Sequence, residues 1–304
     1  MSTSESSPRA SRALETIAVL GAGTMGHGIA QVAAAAGFRV IMRDLDRESL
    51  RRGVQAIERN LAKGIARAKL TEDERDQTLQ RIRGTTHLEE TADAELFIEA
   101  APERLDIKRE ILREVEQTAR RDFIFATNTS SLSITEIAKE ARRPANVIGM
   151  HFFNPVHLMR LLEIVVGRET SRQTVEMVEE VGRRMKKEPI IVRDVPGFAS
   201  SRLGVALGLE AMRMLEQGVA SAGDIDTAME LGYNHPVGPL RLTDLVGLDV
   251  RLAIAEYLHR ELQSETFRPP EILRRMVMEG KLGKKSGEGF YRWDEEEAAG
   301  ARVA

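Results

Sequence analysis

The 304-residue sequence contains no cysteine. That excludes disulfides and any thiolate metal site, and it suits a reducing compartment such as the cytoplasm. An excess of one charge is also missing: 44 Lys and Arg stand against 47 Asp and Glu, for a formal net charge of −3. Neither nucleic acid nor an anionic membrane surface is therefore implied as a partner. No apolar run approaches the ~20 residues of a membrane-spanning helix. The opening segment, MSTSESSPRASR, has no hydrophobic stretch. It reads as a flexible tail over residues 1–14 rather than a secretory signal. What is present is ordinary for a soluble globular protein, 42% hydrophobic and 30% charged, with length enough for two domains.

The first strong signal lies near the start. Ile17 to Leu20 is a short apolar run, and Gly21-Ala22-Gly23-Thr24-Met25-Gly26 follows at once. An Ala-rich helical stretch, Ile29 to Ala36, comes next. A G-x-G-x-x-G motif between strand and helix is the dinucleotide-binding arrangement. Gly21 makes the turn, Gly23 lets the backbone approach a pyrophosphate, and Gly26 lets the helix pack on the strand. The helix start offers N–H groups to the phosphates. Gly37 ends that helix, Arg39 to Met42 forms a second strand, and Asp44 stands where an acid binds an adenosine ribose.

Residues 46–83 carry apolar positions at helical spacing: Leu50, Val54, Ile57, Leu61 and Ile65, then Leu79 and Ile82. A capping-box pattern at Thr71 divides them into a helix pair inserted in the sheet connection. Arg59, Lys63, Arg67 and Lys69 form a basic face, which by itself reads as a solvated surface. Strand signals return at Leu96–Ile98, Phe123–Ala126 and Val147–Met150, alternating with helices. This alternation predicts an α/β, Rossmann-like, doubly wound parallel sheet. Ser130 and His151 follow the ends of successive strands, so both should open toward the crevice of the glycine loop.

Residues 149–163, GMHFFNPVHLMRLLE, are the stretch around which the chain is organised. His151 ends one apolar run, an Asn-Pro turn follows, and Glu163 interrupts a second run, Leu161 to Val166. A carboxylate among Leu, Ile and Val needs a partner if it is buried. His151 is the nearest candidate, and the pair reads either as a structural ion pair or as a general base held in one tautomer. Beyond Asp194-Val195-Pro196-Gly197-Phe198 the patterns are helical, with no strand signal. We place an NAD-binding domain over residues 15–193 and an all-α domain, for substrate and dimer contacts, over 194–304.

Together these motifs resemble the 3-hydroxyacyl-CoA dehydrogenase family, specifically its short 3-hydroxybutyryl-CoA dehydrogenases. The resemblance runs from Thr16 to Trp293 through GAGTMGHGIA (21–30), NTSSL (128–132), HFFNPV (151–156), Glu163 and DVPGF (194–198). It continues through GDIDTAM (223–229), HPVGPLRLTDLVGLD (235–249) and KKSGEGFYRW (284–293). It implies NAD as cofactor, an acyl-CoA as substrate, fatty-acid metabolism as setting, and a homodimer formed through the helical domain. His151 then looks like the catalytic acid/base, Glu163 its orienting partner, and Ser130 the hydroxyl on the substrate's 3-oxygen beside the nicotinamide. Asp44, Glu103, Lys108, Asn154 and Lys285 fall at family NAD contacts. Asn60 and Arg67 replace the Ser and Lys with which the family usually meets coenzyme A, which turns the basic face into a candidate CoA site. Ser201 replaces an Asn near the reacting acyl group. The alternatives are a dehydrogenase of free hydroxy acids or sugar acids on the same scaffold, or a non-catalytic NAD-binding protein. The former usually relies on a catalytic lysine, and the latter would have lost His151, Glu163 or Ser130.

Overall fold

Strands buried on both faces need helices on both sides, and the apolar runs of the first half meet that condition. The computed structural model describes residues 14–120 and 122–293. The chain divides into two compact units between Asp194 and Val195. The first unit holds β1 (Thr16–Leu20), β2 (Arg39–Arg43), β3 (Ile82–Thr85), β4 (Leu96–Glu99), β5 (Ile124–Thr127), β6 (Val147–Phe152), β7 (Leu161–Val166) and β8 (Glu188–Arg193). Its helices are α1 (Gly26–Ala35), α2 (Arg47–Ala66), α3 (Glu72–Gln80), α4 (Leu105–Thr118), α5 (Ile134–Ala138) and α6 (Arg172–Arg184). The strands form one sheet in the order β3-β2-β1-β4-β5-β6-β7-β8. Strand order reverses between β1 and β4, which opens a crevice at the carboxyl ends of those strands. Every residue of β1, β4, β5 and β6 is buried.

The helix-pair insertion is present as α2 and α3. Asp46 caps α2 through Ser49 N–H, and Thr71 and Glu74 form the expected capping box on α3. Two features differ from the sequence reading. Ile82 does not continue the second helix: α3 stops at Gln80, and Ile82 enters β3 opposite Val40 of β2. A four-residue strand containing exposed Arg83 and Gly84 shows no alternation of its own, so only its pairing with β2 makes it a strand. The sheet is also mixed rather than wholly parallel, because β7 runs antiparallel to β6 and carries β8 with it. Residues 153–160 are too few for the crossover that a parallel partner needs, a dozen residues or more. The expected tail over residues 1–14 lies outside the described residues except for Leu14. That residue is buried, and its carbonyl accepts a hydrogen bond from Arg184.

The second unit is all-α: α7 (Ser200–Glu216), α8 (Ala222–Tyr233), α9 (Pro239–Val246), α10 (Leu248–Leu262) and α11 (Glu271–Met278). Val205, Leu209, Met212, Leu240, Leu248 and Leu258 belong to its core. Two buried acids organise the loops around that core. Asp226 accepts from the backbone N–H of Leu240 and Arg241, each at 2.8 Å, and from the Tyr291 hydroxyl at 2.6 Å. Asp244 accepts from Phe290 N–H at 2.9 Å, Tyr291 N–H at 3.0 Å and the Trp293 indole N–H at 3.0 Å. Gly289 has no room for a side chain, since a Cβ there would lie 2.2 Å from Asp244 Oδ1. The long motifs at 235–249 and 284–293 are therefore the two halves of one structural clamp.

Asp244→Ala leaves three donors without their acceptor in a site only 1% exposed. It should destabilise the second unit by about 2–4 kcal/mol. Urea denaturation followed through Trp293 fluorescence reads this directly; an unchanged midpoint would show that the clamp contributes nothing.

Candidate active site

The glycine loop leaves β1 at Gly21, whose φ of +109° suits glycine and whose Cβ would sit 2.8 Å from the Ala100 carbonyl oxygen. Gly26, at the start of α1, is excluded from carrying a side chain by the Gly21 carbonyl oxygen, 1.8 Å from where its Cβ would be. Gly23 differs: no protein atom lies within 4 Å of a Cβ built there. Packing does not explain that glycine, whereas the close approach of a dinucleotide pyrophosphate does. Thr24 beside it is exposed, Met25 is half-buried, and no side chain caps the start of α1. An uncapped helix start of this kind can serve an anion. The loop is held from within by His27, whose Nδ1 lies 2.8 Å from the Gly23 carbonyl oxygen. Asp44, just past β2, accepts from Ala22 N–H and Leu45 N–H, both at 2.7 Å. That fixes its carboxylate against the loop, at the place expected of a ribose acceptor.

Past β4 the chain builds a chain of acids and donors. Glu103 accepts from the Thr129 hydroxyl at 2.6 Å, Ser130 N–H at 3.0 Å, and Ser131 N–H and hydroxyl at 3.1 and 3.0 Å. Burial works against ionisation of Glu103, but the Thr129 bond, the Lys108 charge and the serine bonds outweigh it and hold its carboxyl below the usual range. Lys108 differs from the expectation of a cofactor contact. Its side chain is wholly enclosed, with Nζ 2.8 and 2.9 Å from the two Glu99 oxygens and 3.6 Å from Glu103. Lys108 therefore supports Glu103, and through it the Ser130 loop, rather than facing a ligand. Sequence reasoning missed Glu99, which is buried in β4 and also accepts from Thr127 at 2.6 Å; a charged residue at the end of an apolar strand was the available signal.

Ser130 lies three residues beyond β5 and His151 near the end of β6, in adjacent parallel strands with Thr127 opposite Gly149. Asn128 ties the two ends together by accepting from Phe152 N–H at 3.0 Å. Antiparallel pairing of β6 and β7 puts His151 directly opposite Glu163. His151 Nδ1 is 2.7 Å from Glu163 Oε2, and Glu163 is fully buried. The Phe153 ring packs at 4.4 Å from the imidazole. A second signal that sequence reasoning left unused is Asp194. It accepts from Ser133 hydroxyl at 2.7 Å, Ile134 N–H at 3.0 Å and Thr135 N–H at 2.7 Å, fixing the start of α5.

Asn154 is exposed and lines a cavity of about 910 Å³ together with Asn60, Lys63, Arg67 and Lys69. Asn60 donates to Gln31 at 3.1 Å, and Arg67 closes α2. The basic face is thus the wall of a cavity rather than a convex surface. Burial, chiefly, lowers the pKa of His157 on the same wall. In the second unit, Ser201 lies in the first turn of α7, and Lys285 Nζ is paired with Asp249 at 2.5 and 2.6 Å.

A nucleotide loop at a strand-order reversal, with a His–Glu pair and a serine loop two and three strands along the same sheet, defines a nicotinamide-dependent oxidoreductase site. The family model described as 3-hydroxyacyl-CoA dehydrogenase, NAD binding domain, matches residues 16–195. That of the 3-hydroxyacyl-CoA dehydrogenase C-terminal domain matches residues 197–293. A probable 3-hydroxybutyryl-CoA dehydrogenase of Deinococcus radiodurans is 46% identical over 275 residues, covering 90% of this chain and 99% of its own length. One of Bacillus subtilis is 43% identical over 282 residues, covering 93% and 98%. The crystal structure of the (S)-3-hydroxybutyryl-CoA dehydrogenase of Ralstonia eutropha superposes with a TM-score of 0.90 at 40% identity, covering 92% of this chain and 99% of that one. The chain belongs to the 3-hydroxyacyl-CoA dehydrogenase family, and its cofactor is NAD.

Replacing Glu103 by Ala removes the acceptor shared by Thr129, Ser130 and Ser131. The expected cost is about 1 kcal/mol, at the low end because the carboxylate is partly exposed. Since its folded pKa is depressed, the wild-type contribution is present above the ordinary carboxylate range and lost as pH falls through the lowered value. Urea titrations of both proteins at neutral and acid pH check this: the difference in stability should shrink on acidification.

Proposed function

We propose that the chain oxidises (3S)-3-hydroxyacyl-CoA thioesters, 3-hydroxybutyryl-CoA among them, to 3-ketoacyl-CoA, and runs in reverse when NADH is abundant. The observation that carries this reading is the 2.7 Å contact between His151 and a fully buried Glu163 at the mouth of a nucleotide-binding sheet. With Nδ1 directed at the carboxylate, Nε2 becomes the basic nitrogen. His151 takes the proton of the 3-hydroxyl as hydride leaves C3, and Glu163 stabilises the imidazolium that results. Bound NAD+ supplies the acceptor for that hydride. In reverse, the protonated His151 returns its proton to the developing alkoxide. Ser130, held by Glu103, positions the 3-oxygen in line for transfer. Gly21, Gly23, Thr24, Met25 and Gly26 bind the pyrophosphate, Asp44 the ribose, and Asn154 and Lys285 complete the cofactor contacts. Asn60 and Arg67 receive coenzyme A in the cavity they line, and Ser201 meets the acyl group.

The same reading includes a homodimer formed through the second unit, which exposes Leu231, Tyr233, Leu245 and Val246. It also includes a cytoplasmic setting, in keeping with the lack of cysteine. Among the described residues no helix is long and apolar enough to cross a membrane.

His151→Ala should lower kcat by about 10²–10⁴ with a smaller change in KM, as loss of a general base requires. Glu163→Gln removes the negative charge that favours the imidazolium, so the oxidative pH–rate profile should move to lower pH while the maximal rate falls. An unchanged rate and profile for Glu163→Gln would reduce Glu163 to a structural role.

Cofactor choice follows from Asp44, which can accept from both ribose hydroxyls but repels a 2′-phosphate. The ratio of kcat/KM values should favour NAD over NADP, against the opposing charge of the adjacent Arg43. A preference for NADP would overturn the assignment of Asp44.

A further inference from the structure

Ser201, Gly204 and Gly208 recur at i, i+3 and i+7 along α7 and so share one face. Arg251 of α10 lies over that face. Its Nη1 is 3.8 Å from where Gly204 would carry a Cβ, and its Nε and Cζ are 3.8 and 4.0 Å from the corresponding point on Gly208. Arg251 is only 5% exposed, and its Nε has no hydrogen-bond partner. No carboxylate among the described residues forms an ion pair with it. A buried guanidinium without an anion is an expensive arrangement. Burial lowers its pKa to about 10, which still leaves it charged at neutral pH. Glycine inside a helix also costs about 1 kcal/mol relative to alanine. At Gly208 the Thr243 hydroxyl, 3.2 Å from the Cβ position, restricts the space. At Gly204 nothing is nearer than Arg251 itself, at an ordinary contact distance. Packing therefore does not require glycine at 204, and the bare backbone leaves space beside the charge.

We propose that Arg251 binds a carboxylate at the far end of the acyl chain, so that dicarboxylic 3-hydroxyacyl-CoA thioesters of about six acyl carbons are the preferred substrates. The inference rests on the reading given above, in which Ser201 meets the acyl group of a 3-hydroxyacyl-CoA. Gly204 lies three residues beyond Ser201, about 4.5 Å along the helix. Three carbon–carbon bonds of about 1.5 Å each separate C3 from the terminal carboxyl carbon of a six-carbon diacid, a comparable reach. Guanidinium and carboxylate match as a bidentate pair, whereas a methyl end would leave the cation unpaired.

The test compares (3S)-3-hydroxyadipyl-CoA with (3S)-3-hydroxyhexanoyl-CoA, which has the same chain length and a methyl end. The wild-type protein should favour the diacid by about tenfold or more in kcat/KM, as expected for a charge-assisted contact. Arg251→Met should bring that ratio to about one. Arg251→Lys, which keeps the charge without the fork, should give an intermediate ratio and serves if the methionine variant does not fold. Hexanoyl turnover with no preference for the diacid overturns this inference and leaves the proposed function standing. A preference retained in folded Arg251→Met overturns it as well, because the carboxylate is then read elsewhere. Turnover of neither substrate overturns the proposed function and this inference together.

Discussion

A carboxylate inside an apolar strand is tolerated only opposite a donor, and the pairing of Glu163 with His151 is the constraint on which the site depends. That pairing exists because β7 runs antiparallel to β6 in one particular register. A slip of one residue would turn Glu163 to the other face and set Met150 or Phe152 opposite it. The turn between the two strands is held accordingly. Lys187 donates to the carbonyls of Val156 and Met159, and Val156 packs where Gly28 of α1 leaves no space for a side chain. The loop that sets the register is thus anchored to the helix that opens the nucleotide site.

A second line of buried charge supports the same crevice from the other side. Glu99, Lys108 and Glu103 follow one another from the interior of β4 outward, and Glu103 gathers the donors of residues 129–131. Each group satisfies the next, so that an ammonium can be fully enclosed without an unpaired charge. The end of this chain is the loop carrying Ser130. Positioning of the serine is therefore a property of β4 and α4 as much as of its own strand.

The second unit uses its buried charges in two ways. Asp226 and Asp244 are saturated with donors, and the glycines around them are pressed to the limit of contact, which marks them as structural. Arg251 has the opposite character. It is enclosed, its Nε is unpartnered, and it lies beside open space on the helix that begins with Ser201. The contrast between satisfied and unsatisfied charge in one small core is what separates framework from specificity.

By itself the sequence determined whatever depends on neighbours along the chain. The glycine loop was legible because strand, turn and helix start lie within about ten residues, and so were the capping box at Thr71 and the helical second half. The His151–Glu163 pair was legible as two alternatives, since a short turn brings nearby strands together. Only the tertiary structure decided that Ile82 joins a strand, because β3 owes its conformation to β2 rather than to its own pattern. The same holds for Lys108. Sequence position offered it as a cofactor contact, but Glu99 and the enclosing sheet leave it no exposure. Spacing along the chain records periodicity and short-range turns. Whether a charged side chain far along the chain is enclosed, paired or left waiting depends on which distant residues fold against it, and no local pattern carries that information.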